Sequence, residues 1–127
     1  MNVPGELSPP APTLRVRTQV LLWAAQRVSA LVLAVCVLVH LVTTIYAIRN
    51  GLSAAEILSR TRGSVGWSAF YAIFVGAIAV HAPIGLRSVL SETLHWRGRS
   101  LDAAMVLLAL ALAYGGWRAV YAVVAGG

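Results

Sequence analysis

Charge is what this sequence has least of. It contains no lysine, and four acidic residues (Glu6, Glu56, Glu92, Asp102) stand against ten basic ones, all arginine. Charged residues make up 11% of the 127-residue chain, while 59% is hydrophobic. A soluble domain of this size needs a wettable shell around its core, and too few polar side chains are present to build one. Bulk lipid is the solvent that stabilises such a composition. An all-arginine basic set reflects a GC-rich genome as much as chemistry, so the basic balance assigns no nucleic-acid partner. The single Cys36 lies inside an apolar run, which excludes an intrachain disulfide and leaves the redox compartment open. Proline is concentrated at the start, as Pro4, Pro9, Pro10 and Pro12, with only Pro83 beyond.

What remains is hydrocarbon in three runs. Residues 1–19 read as a flexible polar lead, since each proline removes a backbone donor. The lead has no apolar core or small-residue cleavage site of a signal peptide, and it is not Arg- and Ser-rich like a presequence. Apolar segments then span about residues 20–48, 67–90 and 101–124, each long enough to cross a hydrocarbon core of ~30 Å. The chain is therefore expected to be an all-α membrane protein, with three transmembrane helices in residues 20–127 forming part of a helical bundle. Residues 52–66 read as a loop with an amphipathic start at Ser53-Ala54-Ala55-Glu56, and residues 92–100 as a short polar turn. Arg15, Arg17, Arg97 and Arg99 fall at one end, against Arg49, Arg60, Arg62 and Arg118 at the other. With Arg27 and Arg87 near the first end, the positive-inside bias favours a cytoplasmic N-terminus.

An ionisable side chain inside lipid needs a reason. For Arg27, Arg87 and Arg118 the simple one is snorkelling to the headgroups. His40 and His81 lie away from the ends of their runs, and imidazole cannot reach as far. An interhelical hydrogen bond is one role for them; axial ligation of haem iron by neutral imidazole is the other. Ser29, Cys36, His40 and Thr44 share one helical face, and His81, Gly85, Ser88 and Glu92 share another. Gly85, one turn from His81, leaves room for a flat ring against the backbone. Arg87 is turned about 120° from His81. In antiparallel spans the two histidines differ in depth by roughly 10–17 Å, so they suit two haems better than one.

The stretch Gln26-Arg27-Val28-Ser29-Ala30 resembles the His-Arg-x-[Ser/Thr]-Gly signature of the first helix in the cytochrome b membrane-anchor subunit of succinate dehydrogenase and fumarate reductase. His81-x-x-x-Gly85-x-Arg87, followed by Glu92, is similar to the second-helix signature His-x-x-x-Gly-x-Arg-His-x-x-x-Asp of that family. The likeness runs from Arg15 to Glu92. It implies that His81 ligates haem b, with Arg87 among the cofactor contacts, and that Arg27 and Ser29 line a ubiquinone or menaquinone site near the iron–sulfur subunit. His40 is similar to the distal ligand of the two-haem anchors. Gln26 and Ala30 replace the family's His and Gly, Ser88 and Glu92 replace its His and Asp, and Trp23 stands where many relatives carry a quinone-contacting Ser.

The resemblance implies a multi-pass subunit of the bacterial inner membrane, serving electron transport and the tricarboxylic acid cycle. Its partners would be a flavoprotein, an iron–sulfur protein, and either a second anchor or another copy of this chain. No flavin motif or cysteine cluster occurs, so oxidation of succinate would belong to those partners. Two other readings stay open: a non-redox subunit of a transporter or assembly complex whose histidines only hydrogen-bond between helices, and an anchor that has lost its haem.

Overall fold

The structure, a computed structural model, describes residues 13–125. Four helices follow one another: α1 (Thr13–Arg49), α2 (Ala54–Thr61), α3 (Val65–Thr93) and α4 (Arg99–Ala125). The described residues contain no strand. Helices α1, α3 and α4 are long and apolar enough to cross a membrane, as the three hydrophobic runs require. In hydrocarbon every backbone N–H and C=O must be satisfied within its own segment, which a helix achieves.

Helix α1 begins earlier than expected. Residues 13–19, assigned by composition to the polar lead, form its first two turns; the rest of that lead lies outside the described residues. The physical reason is propagation: no proline occurs between Pro12 and Pro83, and extending an existing helix is far easier than nucleating one. With 37 residues α1 is ~56 Å long, well beyond the ~30 Å hydrocarbon core. Helix α3 carries Pro83 in its interior and continues through it. Buried among neighbouring helices, this proline costs one backbone hydrogen bond without breaking the span.

The stretch expected as a loop contains a helix, α2, built on a capping box. The Ser53 backbone N–H and hydroxyl donate to Glu56 Oε2 at 2.7 and 2.9 Å, and the Glu56 N–H donates back to Ser53 Oγ at 3.3 Å. This is the Ser-x-x-Glu arrangement that satisfies orphan donors at a helix start. The loop after α2 is tied to the last turn of α4 by the Gly63 N–H on the Val124 carbonyl, 3.1 Å. At the opposite end the α3–α4 turn uses the left-handed region at His95 (φ 54°) and Gly98 (φ 99°). The Trp96 indole N–H closes the turn on Ser100 Oγ at 2.8 Å.

Helix α3 is central, packing most extensively on α4 and then on α1. Leu101, Met105 and Val120 of α4, Ala77 of α3 and Cys36 of α1 supply the buried apolar contacts. Close approach of α3 and α4 depends on Gly116: a Cβ there would lie 2.9 Å from Val75 Cγ2 and collide with the rest of that side chain. Small residues serve this purpose between membrane helices. Most other large apolar side chains, among them Leu31, Leu38, Leu107 and Tyr121, are exposed on the helix bundle and face lipid or other subunits.

Two predictions follow from these contacts. Gly116→Ala overpacks the α3–α4 contact and lowers stability by about 1–3 kcal/mol, despite alanine's better helix propensity. Thermal unfolding in detergent checks this, and Val75→Ala in the same chain recovers part of the loss. The hydrogen bond from the Ser53 backbone N–H, and then the one from its hydroxyl, hold the Glu56 carboxyl below its ordinary value of 4.5. The cap is therefore intact above that value and is lost as pH falls through the folded pKa. Amide exchange in α2 accelerates on acidification in the native chain and becomes pH-insensitive, apart from intrinsic exchange chemistry, in Glu56→Gln.

Candidate functional site

Two clefts open on α1 and α3, one toward each end of the bundle. The first, about 580 Å³, lies where α1 enters and α3 leaves, and it is lined by Trp23, Gln26, Arg27, His81, Arg87 and Ser88 among others. His81 reaches α1 here. Its Nδ1 lies 3.3 Å from Ser29 Oγ, and the Ser29 hydroxyl lies 3.1 Å from the Gln26 carbonyl one turn back. Ser29 is 6% exposed and is not among the residues lining the cleft. Expected beside Arg27 at a quinone site, it is instead enclosed between helices and turned to His81.

Gln26 fills the space expected for a flat ring at Gly85. Its Nε2 sits 3.0 Å from the point a Cβ at Gly85 would occupy, so the glycine makes room for an amide. The Gln26 Oε1 atom is buried and has no hydrogen-bond partner among the described residues. An unmatched acceptor in a low-dielectric setting is costly. Arg27, more exposed, lies over the Trp23 ring with its guanidinium carbon 5.6 Å from the centroid. This cation–π contact holds the charge at the mouth of the cleft. Arg87 also lines the cleft, but its Nε donates to Asp102 Oδ1 of α4 at 2.8 Å.

The second cleft, about 510 Å³, lies at the α2 end and is lined by His40, Tyr46, Arg60, Trp67 and Tyr71, with apolar neighbours. His40 stands against Phe74, with ring centroids 6.1 Å apart and planes tilted by 47°. Phe74 belongs to an aromatic row on α3 with Phe70, Trp67 and Tyr71. The His40 carbonyl accepts the hydroxyls of Thr43 at 2.9 Å and Thr44 at 2.7 Å. Ser29 marks the level of His81, and His40 lies eleven residues further along α1, or ~16 Å. Measured along α3, Phe74 and His81 are seven residues apart, or ~10 Å. The histidines thus occupy different clefts at different depths.

Of the residues singled out in the sequence, the structure brings together His81 and Ser29, with Arg27 and Arg87 around the same cleft, and leaves His40 apart. Asp102 went unnoticed. The signal was present: it is the sole acid in the first turn of α4, across a short turn from Arg87. Spacing already puts Phe70, Phe74 and Ala77 on one face of α3, but that this face, with Trp67 and Tyr71, meets His40 was not foreseen.

The described residues thus form a helical, multi-pass membrane protein with imidazoles at clefts between its spans. The chain belongs to the family described as succinate dehydrogenase/fumarate reductase transmembrane subunit, which it matches over residues 1–116. It is thus a membrane-anchor subunit of that enzyme class. Searches of curated proteins and of solved structures found no match.

The Arg87–Asp102 pair gives a direct test of how α3 and α4 are joined at this end. Both side chains are about half exposed, 44% and 54%, so the pair contributes about 0–1 kcal/mol. A double-mutant cycle with Arg87→Ala and Asp102→Ala, read by thermal unfolding, gives a coupling in that range that shrinks with added salt.

Proposed function

We propose that this anchor carries haem b on His81 and presents a quinone site beside Arg27, receiving electrons from an iron–sulfur subunit that is itself served by a flavoprotein. The observation that carries the reading is a half-buried imidazole within a membrane span, 3.3 Å through one nitrogen from Ser29, in a cleft that two arginines also line. The donor set suits the group: a neutral imidazole for the iron, and cations within reach for carboxylate side chains. When bound, haem b supplies a one-electron relay between the iron–sulfur subunit and the quinone.

The remaining work falls to the chain. Arg27, held on Trp23, offers a positive charge and donors to a quinone carbonyl as negative charge builds on its oxygen. Arg87, already neutralised by Asp102, would have to share its donors to reach a propionate, since only its Nε is committed. His40, which lines its own cleft, would hold a second haem at the far end. A second anchor subunit or another copy of this chain would complete the enclosure of the group. The cytoplasmic inner-membrane location and the inward N-terminus belong to the same proposal.

A dithionite-reduced minus oxidised spectrum of the purified membrane complex tests it. The expected result is the α-band of a bis-imidazole b-type cytochrome, diminished in both His81→Ala and His40→Ala. Absence of the band from a haem-replete preparation refutes haem binding. Loss of all haem in His81→Ala with none lost in His40→Ala rejects the second haem alone.

A further inference from the structure

We propose that Ser29 is a positioning residue that locks His81 in the Nδ1–H tautomer, leaving Nε2 as the free electron pair. The inference deepens the haem reading, because a bare Nε2 is what an axial ligand must present.

It rests on counting donors. A serine hydroxyl has one proton and a neutral imidazole has one, and two contacts meet at Ser29 Oγ: the Gln26 carbonyl at 3.1 Å and His81 Nδ1 at 3.3 Å. If Ser29 donates to the Gln26 carbonyl, the shorter of its two contacts at 3.1 Å, its oxygen is left to accept from His81 Nδ1 at 3.3 Å. Both protons are then used, and the chain Nδ1–H to Oγ–H to carbonyl runs in one direction. If instead Ser29 donates to Nδ1, the imidazole proton sits on Nε2. That nitrogen has no hydrogen-bond partner among the described residues, and the shorter contact to the Gln26 carbonyl is given up, so this arrangement keeps one hydrogen bond at Ser29 where the other keeps two. Burial of Ser29 keeps water from offering a third arrangement.

The contact also acts on the iron side. An acceptor on Nδ1–H increases the electron density of the imidazole, as partners of metal-bound histidines do. A bound haem is then more easily oxidised, and removing the acceptor raises its midpoint potential. Ser29 is thereby separated from the quinone site, since it lines no part of the cleft.

The experiment compares the native complex with Ser29→Ala and Ser29→Thr. Alanine keeps the helix and removes the hydroxyl; threonine keeps the hydroxyl with an added methyl. Redox titration of the haem band is expected to show a higher midpoint potential in Ser29→Ala and a return toward the native value in Ser29→Thr. A native-like potential and low-spin electron paramagnetic resonance spectrum in Ser29→Ala overturns the role of Ser29 while leaving the haem reading intact. If no variant binds haem, the haem reading fails. The tautomer is then read from 15N chemical shifts of histidine-labelled full-length chain in bilayers, with His81→Gln assigning the signal. A protonated Nδ1 and bare Nε2 in the native chain, becoming a mixture in Ser29→Ala, supports the lock. An unchanged tautomer in Ser29→Ala refutes it.

Discussion

The constraint on which everything else depends is that hydrocarbon offers no hydrogen-bond partner, so each polar group inside the spans must find one in the protein. The backbone meets this by forming helices that run past both faces of the bilayer. Side-chain hydroxyls meet it by folding back on their own helix: Thr43 and Thr44 onto the His40 carbonyl, Ser68 onto Ser64, and Ser88 onto Ile84. Ser29 alone among these also reaches a histidine on another helix. The same rule makes the unmatched Gln26 oxygen meaningful. In water it would be a trivial acceptor; here it stays buried without a partner among the described residues.

The spans were legible because hydrophobic run length is a strong signal, and so was the pairing of faces on α1 and α3. His40, Cys36 and Ser29 do lie along the side of α1 that meets α3, as their spacing indicated. Two features were misread for a common reason, that composition says little about polar backbone. Residues 13–19 carry no apolar periodicity yet continue a helix, and the polar stretch after α1 holds a capped one. The capping box itself was visible in Ser53 and Glu56. What the sequence could not convey is which small residue meets which neighbour. Gly85 accommodates the Gln26 amide and Gly116 accommodates Val75, and each pairing depends on helix rotation, set by the whole interface.

Two arginines that look equivalent on a helical wheel acquire different environments from this packing. Arg27 rests on an aromatic ring and keeps its full charge for an incoming group, whereas Arg87 is partly neutralised by a carboxylate. A cation over a ring remains strongly electrophilic, because the ring quadrupole attracts it without cancelling its charge. The positive potential of the cleft is thus concentrated on the Arg27 side.

Helix α4 carries no histidine and lines neither cleft of the candidate site, yet the geometry of His81 depends on it. An imidazole on α3 meets Ser29 only if α3 has one rotation and one depth relative to α1, and their mutual contact is the smaller of the two α3 interfaces. The larger one fixes those coordinates from behind. Arg87–Asp102 ties α3 to α4 at the His81 end, Gly116 sets their separation near the middle, and the Gly63–Val124 bond holds the loop before α3 at the far end. A shift of α3 by one residue would move His81 ~1.5 Å along the axis and turn it by ~100°, breaking the 3.3 Å contact outright. The helix that looked merely structural in sequence is what gives the His81 helix its register.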